Sequence, residues 1–278
     1  MMRHLDLSKA LFNFFAWAIV VVVSFPLIWT IVTSLKPQTE LFRIPPSLLP
    51  GDVTFEHYRK LLFETKFLTY FSNSVIVSVA TTALVVVVGV LGAHSLVRFS
   101  YPGRERLAQL VLFTYLLPSV VLIIPLYLML VSMGIANTLF SLTVAYTTFA
   151  LPFAVWLLRS FMAGIPPDLE AAAMVDGASR MGAFFDVILP QALPGIISTA
   201  VFTFILAWNE YLFALVLVNQ DSSRTLTTGV ITMLVTSFHI EWSMLMAASV
   251  MMSVPVIVVF AFLQKHLTRG FGAGGVKG

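Results

Sequence analysis

The chain has 278 residues, of which 59% are hydrophobic and only 10% are charged, whereas soluble domains carry about 25% charged residues. This balance excludes an ordinary soluble protein and predicts a chain that lies mostly in lipid. The net charge of +3 is explained by anionic lipid without nucleic acid, and the absence of cysteine excludes disulfides and thiol chemistry.

Apolar runs long enough to cross a bilayer recur along the whole chain. A transmembrane helix needs about 20 apolar residues, and backbone groups in hydrocarbon must be satisfied within the segment. We therefore predict an all-α polytopic membrane protein with about six transmembrane helices, forming a single transmembrane domain over residues 1–278. The predicted spans lie near Leu11–Leu35, Ser72–Val97, Leu107–Met133, Leu139–Leu158, Gly195–Val218 and Met244–Gln264.

The first apolar run is predicted to be a retained span, because it is longer than the apolar core of a signal peptide and lacks a small-residue cleavage site. Orientation follows from basic residues in the short flanks. They fall on one side, which predicts that both termini are cytoplasmic: Arg3, Lys9, Arg98, Arg104, Arg106, Arg159, Arg180, Lys265, Arg269 and Lys277.

The loop over residues 36–70 opposes this asymmetry, because it carries several basic residues on the predicted outer side. It also carries acidic residues, so we predict a small folded external segment. Its prolines, Pro45, Pro46 and Pro50, favour extended chain.

Polar residues and prolines inside the second and third spans are candidates for the translocation pathway. Pro118 and Pro125 are predicted to kink or unwind the third span, close to the pathway candidates Tyr115, Ser119 and Tyr127. In the second span Asn73 is a further pathway candidate. Alternatively Asn73, Ser74 and Ser78 bind neighbouring helices.

A polar loop over residues 159–194 interrupts the apolar pattern. It predicts two short helices separated by a turn at Asp176-Gly177, where glycine accepts left-handed backbone angles. Asp168 is the predicted N-cap of the first helix. Pro190 and Pro194 are predicted to end the second helix before the fifth span begins.

This loop predicts a docking site for another protein. Its alanines allow a close approach of a partner, and Glu170 and Asp176 offer charges. The second helix has an apolar face of Met181, Phe184, Phe185 and Ile188. The alternative is an amphipathic helix lying on lipid headgroups, although the lysines typical of such helices are missing.

A carboxylate is predicted well inside the fifth span. Glu210 follows Asn209, and a charge inside a membrane is costly enough to indicate function. The alternative is a structural hydrogen bond to a neighbouring span or to a partner subunit. Trp208 and Tyr211 flank the pair and are candidates for stacking on sugar rings, or for packing.

The last loop and the tail are less regular. Residues 219–243 are predicted to form an external loop whose interior, Leu226–Phe238, is too short for a span and is re-entrant or folded. Residues 265–278 form a predicted cytoplasmic tail, in which Gly270–Gly278 has too many glycines for a stable helix.

Sequence signatures of catalysis are missing. The chain has no glycine-rich phosphate loop, no H-E-x-x-H and no G-x-S-x-G motif, and its histidines lack metal-ligand spacing. We therefore predict no catalytic residues, no metal site and no cofactor on this chain, and no enzyme activity.

An ordered set of motifs along nearly the whole chain resembles the inner-membrane permease subunits of ATP-binding-cassette (ABC) importers, specifically the carbohydrate group that includes the maltose permeases. The motifs are SLKPQTELF at residues 34–42, Asn73-Ser74, RFSYPG at 98–103, LLPSVVLIIPLYLML at 116–130, DGAS at 176–179, ILP at 188–190, AWNE at 207–210 and GFGAGGVKG at 270–278.

The resemblance implies a type I importer permease fold in a bacterial inner membrane. It implies a second permease subunit, usually a different chain, two ATPase subunits that hold ATP and Mg²⁺, and an external solute-binding protein. The function implied is half of a sugar pathway that works by alternating access. The alternatives are import of glycerol-phosphate-type or other small polar solutes and, with less support, a stand-alone secondary transporter.

The resemblance also implies site residues. The ATPase-coupling residues are Asp168, Glu170, Ala171, Ala172, Ala173, Asp176, Gly177, Ser179, Arg180 and Phe184. Tail contacts to the ATPase are Gly274, Gly275, Val276 and Lys277, and binding-protein contacts are Asn219, Gln220 and Asp221. In one departure from the family pattern, Ala171 takes the usual acidic position and Glu170 lies one residue early, so either Glu170 or Asp168 makes the docking salt bridge.

Overall fold

A computed structural model describes residues 7–235 and 240–272, and these residues are almost entirely helical. Within them, the β-structure consists of an isolated bridge between Val235 and Ile240. The predicted all-α class is confirmed.

The helices follow one another with short connections. They are α1 (Leu7–Ser34), α2 (Gln38–Leu41), α3 (Glu56–Phe63), α4 (Phe67–Arg98), α5 (Arg104–Tyr115), α6 (Ser119–Ser132), α7 (Leu139–Ala163), α8 (Pro167–Val175), α9 (Arg180–Ala183), α10 (Leu189–Asn209), α11 (Leu212–Leu217), α12 (Leu226–Leu234) and α13 (Trp242–Gly272). A π-helical turn, Phe184–Ile188, joins α9 to α10, and a 3-10 turn, Asp221–Ser223, precedes α12.

Five helices in the described part of the chain are long and apolar enough to cross a membrane, and a bent pair makes a sixth span if it is counted as one. The single helices are Leu11–Ser34, Phe67–Arg98, Leu139–Ala163, Arg180–Asn209 and Trp242–Phe262. The pair is α5 and α6, which meet at an angle of 97°. The predicted number of spans is confirmed.

The third span differs from the prediction of one continuous segment. It breaks after Tyr115, and Pro118 directly precedes α6. A residue before proline is disfavoured in helical geometry, which explains the break. The predicted kink at Pro118 is confirmed, whereas Pro125 lies inside α6 without ending it.

The fifth span is displaced from its predicted position. We expected Pro190 and Pro194 to separate a short helix from a span at Gly195–Val218, but helical structure runs continuously from Arg180 to Asn209. The π-helical turn precedes Pro190, which occupies the first turn of α10, where a missing backbone N–H is tolerated. This part of the prediction was wrong.

Contacts divide the chain into two compact units. The first comprises Met1–Phe67 and Val230–Pro255, and the second comprises Leu68–Gly229 and Val256–Gly278. The predicted arrangement as one domain stays a prediction.

The loop after α1, in the first unit, is folded around buried polar side chains. Glu40 accepts hydrogen bonds from the Ser47 hydroxyl at 2.7 Å and from the Gly51 N–H at 2.9 Å. The Lys36 amine donates to the Ser47 carbonyl at 2.5 Å. The charged side chains Lys36 and Glu40 therefore bind groups within the loop itself. The external position of this loop stays a prediction.

The second unit buries apolar side chains from α4, α7, the π-helical turn and α10. One cluster contains Val90, Ala93, Leu158, Met162, Ile165, Phe184, Ile188 and Ala192. Through Phe184 and Ile188 the cluster includes the π-helical turn, which contacts α8 and α9, the two short helices predicted for docking.

Candidate functional site

Residues 167–183, which we call the coupling segment, form α8, a turn and α9. Pro166 precedes α8, and Pro167 occupies its first turn, a position that suits the fixed φ of proline. Asp168 lies in that first turn and is not the N-cap, so this detail of the prediction was wrong.

The predicted turn between the two short helices is present. Gly177 has a φ of 95°, in the left-handed region that favours glycine. The Ser179 hydroxyl then accepts a hydrogen bond from the Gly182 N–H at 3.0 Å and caps α9. The turn predicted at Asp176-Gly177 is confirmed.

One side of the coupling segment is open to its surroundings. Ala171, Ala172 and Asp176 are exposed, Val175 is 86% exposed, and Met181 is 63% exposed. A polar segment that ends in bare apolar side chains is typical of a surface that another protein covers.

Two of the predicted coupling residues face the interior instead. Phe184 is 4% exposed, and its ring centroid lies 4.5 Å from that of His94. Glu170 is 8% exposed. In this structure, neither side chain presents a free surface to a partner.

Glu170 is held by the last residue of α4. Arg98 Nε lies 3.2 Å from Oε2 of Glu170, and the side chains are 11% and 10% exposed. Arg98 Nη2 also donates to the Ile165 carbonyl at 2.8 Å. The sequence analysis used Arg98 for topology and as the first residue of the RFSYPG motif, and it predicted no contact for this side chain. The sequence signal for this ion pair is an arginine at the end of a span together with a glutamate beside a run of alanines.

Arg180 and Ala173 complete the predicted set on this segment. The Arg180 guanidinium carbon lies 5.3 Å from the centroid of the Phe99 ring, a cation–π distance. Ala173 is partly buried. The predicted tail contacts, Gly274, Gly275, Val276 and Lys277, lie outside the described residues.

A cavity of about 600 Å³ opens in the second unit beside the bend between α5 and α6. Three predicted pathway residues, Tyr115, Ser119 and Glu210, line it. Thr114, Thr148, Leu117, Leu122, Phe149, Leu206 and Phe213 complete the lining. Hydroxyl groups, aromatic rings and a carboxylate thus converge on one space.

Glu210 was predicted to lie well inside the fifth span, but it lies just beyond the end of α10. It follows the end of α10 with extended backbone, at a ψ of 133°. Its carboxylate accepts hydrogen bonds from the N–H groups of Phe213 at 3.0 Å and Ala214 at 3.1 Å. These two partners belong to the next helical turn, and Tyr146 of α7 also interacts with the Glu210 side chain.

The other pathway candidates do not line this cavity. Trp208 is 2% exposed, with its ring centroid 5.6 Å from that of Phe71. Asn209 is exposed and donates to the Ile205 carbonyl at 2.8 Å. Tyr127 and Tyr211 are partly buried.

Asn73 and Ser74 hold the chain that follows α11. The Asn73 amide donates to the carbonyls of Ser222 at 2.9 Å and Arg224 at 2.8 Å. The Ser74 hydroxyl accepts from the Leu226 N–H at 2.7 Å. We had expected these side chains to bind neighbouring helices, but their partners lie in a loop and at the start of α12.

The predicted binding-protein contacts begin this same loop. Asn219 and Gln220 are exposed, and Asp221 pairs with Arg224 at 2.9 Å. The Asn219 N–H donates to the Asn137 side chain at 2.8 Å. Asn137, which the sequence analysis missed, has a φ of 62°, and asparagine tolerates this left-handed conformation better than most residues.

Residues 85–272 match the family described as the binding-protein-dependent transport system inner membrane component. The chain belongs to this family. The match begins within α4, covers α5 through α13, and includes both the coupling segment and the cavity.

Several relatives are similar to this chain over almost their whole length. The chain is 37% identical over 254 residues to a diacetylchitobiose uptake system permease protein of Streptomyces coelicolor, covering 91% of this chain and 92% of that protein. It is 35% identical over 262 residues to an inner membrane ABC transporter permease protein of Escherichia coli, covering 93% and 92%.

A third relative, a trehalose/maltose transport system permease protein of Thermococcus litoralis, is 32% identical over 279 residues, with both chains covered completely. These matches confirm that the chain is a permease subunit of an ABC importer of the carbohydrate group.

Solved structures share the fold. A chain from a bacterial ABC transporter involved in the import of the acidic polysaccharide alginate aligns with a TM-score of 0.80 at 21% identity, covering 95% of this chain and 98% of that one. A second alginate transporter structure, in complex with a pentasaccharide-bound periplasmic protein, aligns with a TM-score of 0.67 at 16% identity, covering 97% and 96%. The predicted importer permease fold is confirmed.

Proposed function

We propose that this permease subunit forms half of the pathway of a sugar importer, beside a second permease subunit of different sequence. The names of relatives support a sugar, since they include diacetylchitobiose and trehalose/maltose systems. In this proposal an external binding protein delivers the solute. ATP and Mg²⁺ are held by two ATPase partners, and this chain contributes no catalytic group.

The observation that carries the proposal is the exposed surface of the coupling segment. Val175, at 86% exposure, lies beside the left-handed turn at Gly177. The segment is continuous with α7 on one side and with α10 on the other. A partner that displaces it therefore acts on two spans at once, and the cavity is lined partly by residues of those spans.

Docking of the ATPase rests on the exposed residues of this segment. Asp168 and Asp176 are exposed, whereas Glu170 is buried. We propose that Asp168, rather than Glu170, makes the docking salt bridge, together with the small surface of Ala171 and Ala172. The acidic residues also disfavour the alternative of a helix lying on anionic headgroups.

The solute path in this proposal passes the cavity at the bend between α5 and α6. Tyr115 and Phe149 offer aromatic faces to a sugar ring, and Ser119 and Glu210 offer hydrogen-bonding groups. Closure of the ATPase partners moves the attached spans and changes the side on which this space opens. Asn219, Gln220 and Asp221 contact the binding protein on the outer side, and both termini are cytoplasmic.

Replacing Gly177 with proline tests the docking role. Proline fixes φ near −65°, so it cannot adopt the φ of 95°, and it removes the N–H that donates to the Met174 carbonyl at 3.2 Å. We expect the Gly177→Pro subunit to purify with its permease partner but without the ATPase, as measured by co-purification through a tag on this chain.

The matched control is Gly134→Pro. Gly134 has a φ of 70°, and its N–H donates to the Val131 carbonyl at 2.9 Å, so the backbone damage is the same in a loop far along the chain. Retention of the ATPase by Gly177→Pro would contradict the docking role. A wild-type chain that transports without any ATPase would contradict the whole proposal.

A further inference from the structure

The second span, α4, is separated in sequence from the coupling segment but contacts it directly. The coupling segment follows α7 and leads into α10, so chain continuity joins it to those two spans only. Arg98, the last residue of α4, reaches α8 through the ion pair with Glu170. This pair gives α4 a polar attachment to the segment that the ATPase is proposed to move.

Arg98 contacts one residue of α8 and one residue just before that helix. Arg98 Nη2 takes the carbonyl of Ile165, directly before the prolines that start α8, and Arg98 Nε faces Glu170 on the buried side of the helix. A guanidinium presents several N–H groups in a fixed plane, which suits such a double contact, whereas an ammonium group acts as a single point charge. The N-terminal half of α8 is thereby tied to the end of α4.

Burial makes the pair difficult to break. Both side chains are about nine-tenths buried, and removing one partner of a buried ion pair leaves an uncompensated charge. Val90 and Ala93 of α4 also share a buried apolar cluster with Phe184 of the π-helical turn. Apolar contacts resist separation more than sliding, whereas the ion pair ties one point of α8 to one point of α4.

The opposite end of α4 is anchored in the same manner. Asn73 and Ser74 bind backbone groups of Ser222, Arg224 and Leu226, in the loop that begins with the predicted binding-protein contacts. From Asn73 to Arg98 the helix rises about 38 Å, which exceeds the hydrocarbon thickness of about 30 Å. One continuous helix thus carries specific polar anchors on both sides of the membrane.

We propose that α4 acts as a rod that couples the coupling segment to the loop over residues 219–226, with Arg98 and Glu170 as the anchor at one end and Asn73 and Ser74 as the anchor at the other. Binding-protein docking and ATPase closure then influence each other through this helix, and such coupling is reciprocal. These are positioning residues, and their role rests on the proposed function.

The test uses the assembled transporter in lipid vesicles, with its binding protein and a candidate sugar, here maltose or diacetylchitobiose. Glu170→Gln keeps the shape of the side chain and removes its charge, and Asn73→Ala removes the amide at the other end. We expect each variant to retain the ATPase. We expect the stimulation of ATP hydrolysis by the binding protein to fall about fivefold or more in each variant.

Two matched controls lack a connection through α4. Glu105 pairs with Arg159 at 2.8 Å between α5 and α7, so Glu105→Gln loses an interhelical ion pair elsewhere in the same unit. The Ser198 hydroxyl donates to the Pro194 carbonyl of its own helix at 2.8 Å, so Ser198→Ala loses a side-chain hydrogen bond without releasing a loop. Both controls should keep the stimulation within about twofold of the wild-type value.

The double variant Asn73→Ala/Glu170→Gln separates a common route from two independent defects. If both anchors act through α4, the double variant loses no more stimulation than the more affected single variant. Independent defects multiply, and a multiplied loss would overturn the proposal, as would unchanged stimulation in either single variant.

The remaining outcomes are also decisive. If Glu170→Gln loses the ATPase, Glu170 rather than Asp168 is the docking residue, and the anchor is refuted while the importer function stands. If the wild-type chain recruits no ATPase, the proposed function itself fails. Should Glu170→Gln not assemble at all, Arg98→Met/Glu170→Met removes both buried charges together, and unchanged stimulation in that variant refutes the rod.

Discussion

Glu40 illustrates how a single carboxylate organises the loop after α1. It is 5% exposed and accepts hydrogen bonds from the Ser47 hydroxyl and the Gly51 N–H. The Ser47 hydroxyl first, and the Gly51 N–H next, hold the pKa of Glu40 below its ordinary value of 4.5, because both bonds favour the ionised form. The loop is therefore stabilised by a charge rather than by an apolar core.

The lowered pKa predicts a dependence on pH. Because the folded-state pKa of Glu40 lies below 4.5, its stabilising contribution is complete above that pH and is lost as the pH falls through the folded-state pKa. We expect pepsin to cleave near Leu41 and Phe42 increasingly as the pH drops below 4.5.

For Glu40→Gln, the cleavage rate should not change with pH once it is normalised to the rate for an unfolded pepsin substrate at each pH. Glu56→Gln is the matched control, since Glu56 is exposed and bonds Lys60 within α3. Equal pH profiles for wild-type and Glu40→Gln chains would show that this carboxylate does not hold the loop.

At the scale of elements, close approach of α7 and α10 depends on a glycine. A Cβ atom added at Gly195 would lie 2.8 Å from the Cβ of Phe161, closer than side-chain atoms can pack. Small residues at helix interfaces allow this proximity in membranes. The contact matters because these two spans flank the coupling segment in sequence.

We predict that Gly195→Ala lowers the free energy of unfolding by about 1–3 kcal/mol through overpacking, measured by thermal unfolding of the purified subunit in detergent. Gly92→Ala is the control, because its added Cβ would lie 3.6 Å from Val155, an ordinary contact, and the helix gains up to about 1 kcal/mol from alanine. The prediction is wrong if both variants melt like the wild-type chain.

The fifth span shows why proline is a weak boundary marker in this chain. Pro190 was expected to end a helix, yet it lies in the first turn of α10 after a π-helical turn. The hydrogen-bond register of a π turn differs from that of an α-helix. The residues from Phe184 to Ile188 carry no sequence signal that predicts this change. Packing of Phe184 and Ile188 into the core decides it.

At the scale of the whole molecule, the order of spans determines which surfaces meet which compartment. Between Ile44 and Val175 lie α4, the bent pair of α5 and α6, and α7. With the bent pair counted as one span, three crossings separate the two residues, which predicts that they lie on opposite sides of the membrane. The basic flanks predict that Val175 lies on the cytoplasmic side.

The absence of cysteine makes this assignment directly testable. Ile44 is 97% and Val175 is 86% exposed, so single cysteines at these positions accept a thiol reagent readily. In intact cells, we expect a membrane-impermeant reagent to label Ile44→Cys at once and Val175→Cys only after permeabilisation. The parent chain, with no cysteine, is the blank, and labelling of both variants from one side would refute the topology.

Sequence alone determined the class of this protein. Apolar runs of span length, basic flanks and an ordered set of motifs predicted the importer permease, and Gly177 predicted the turn of the coupling segment because few other residues tolerate its backbone angles. These features are local in sequence, since hydropathy and turn chemistry depend on neighbouring residues.

Only the tertiary structure decided which side chains meet. Arg98 pairs with Glu170 across 72 positions of sequence, Asn73 holds carbonyls that lie some 150 positions away, and Glu210 leaves its span to bond the next helical turn. Helix spacing states which face a residue occupies, but the partner on the other side comes from helices packed by the whole chain. Packing therefore settled the partners of these polar groups, because most buried polar groups are hydrogen-bonded and the candidates come from the neighbouring helices.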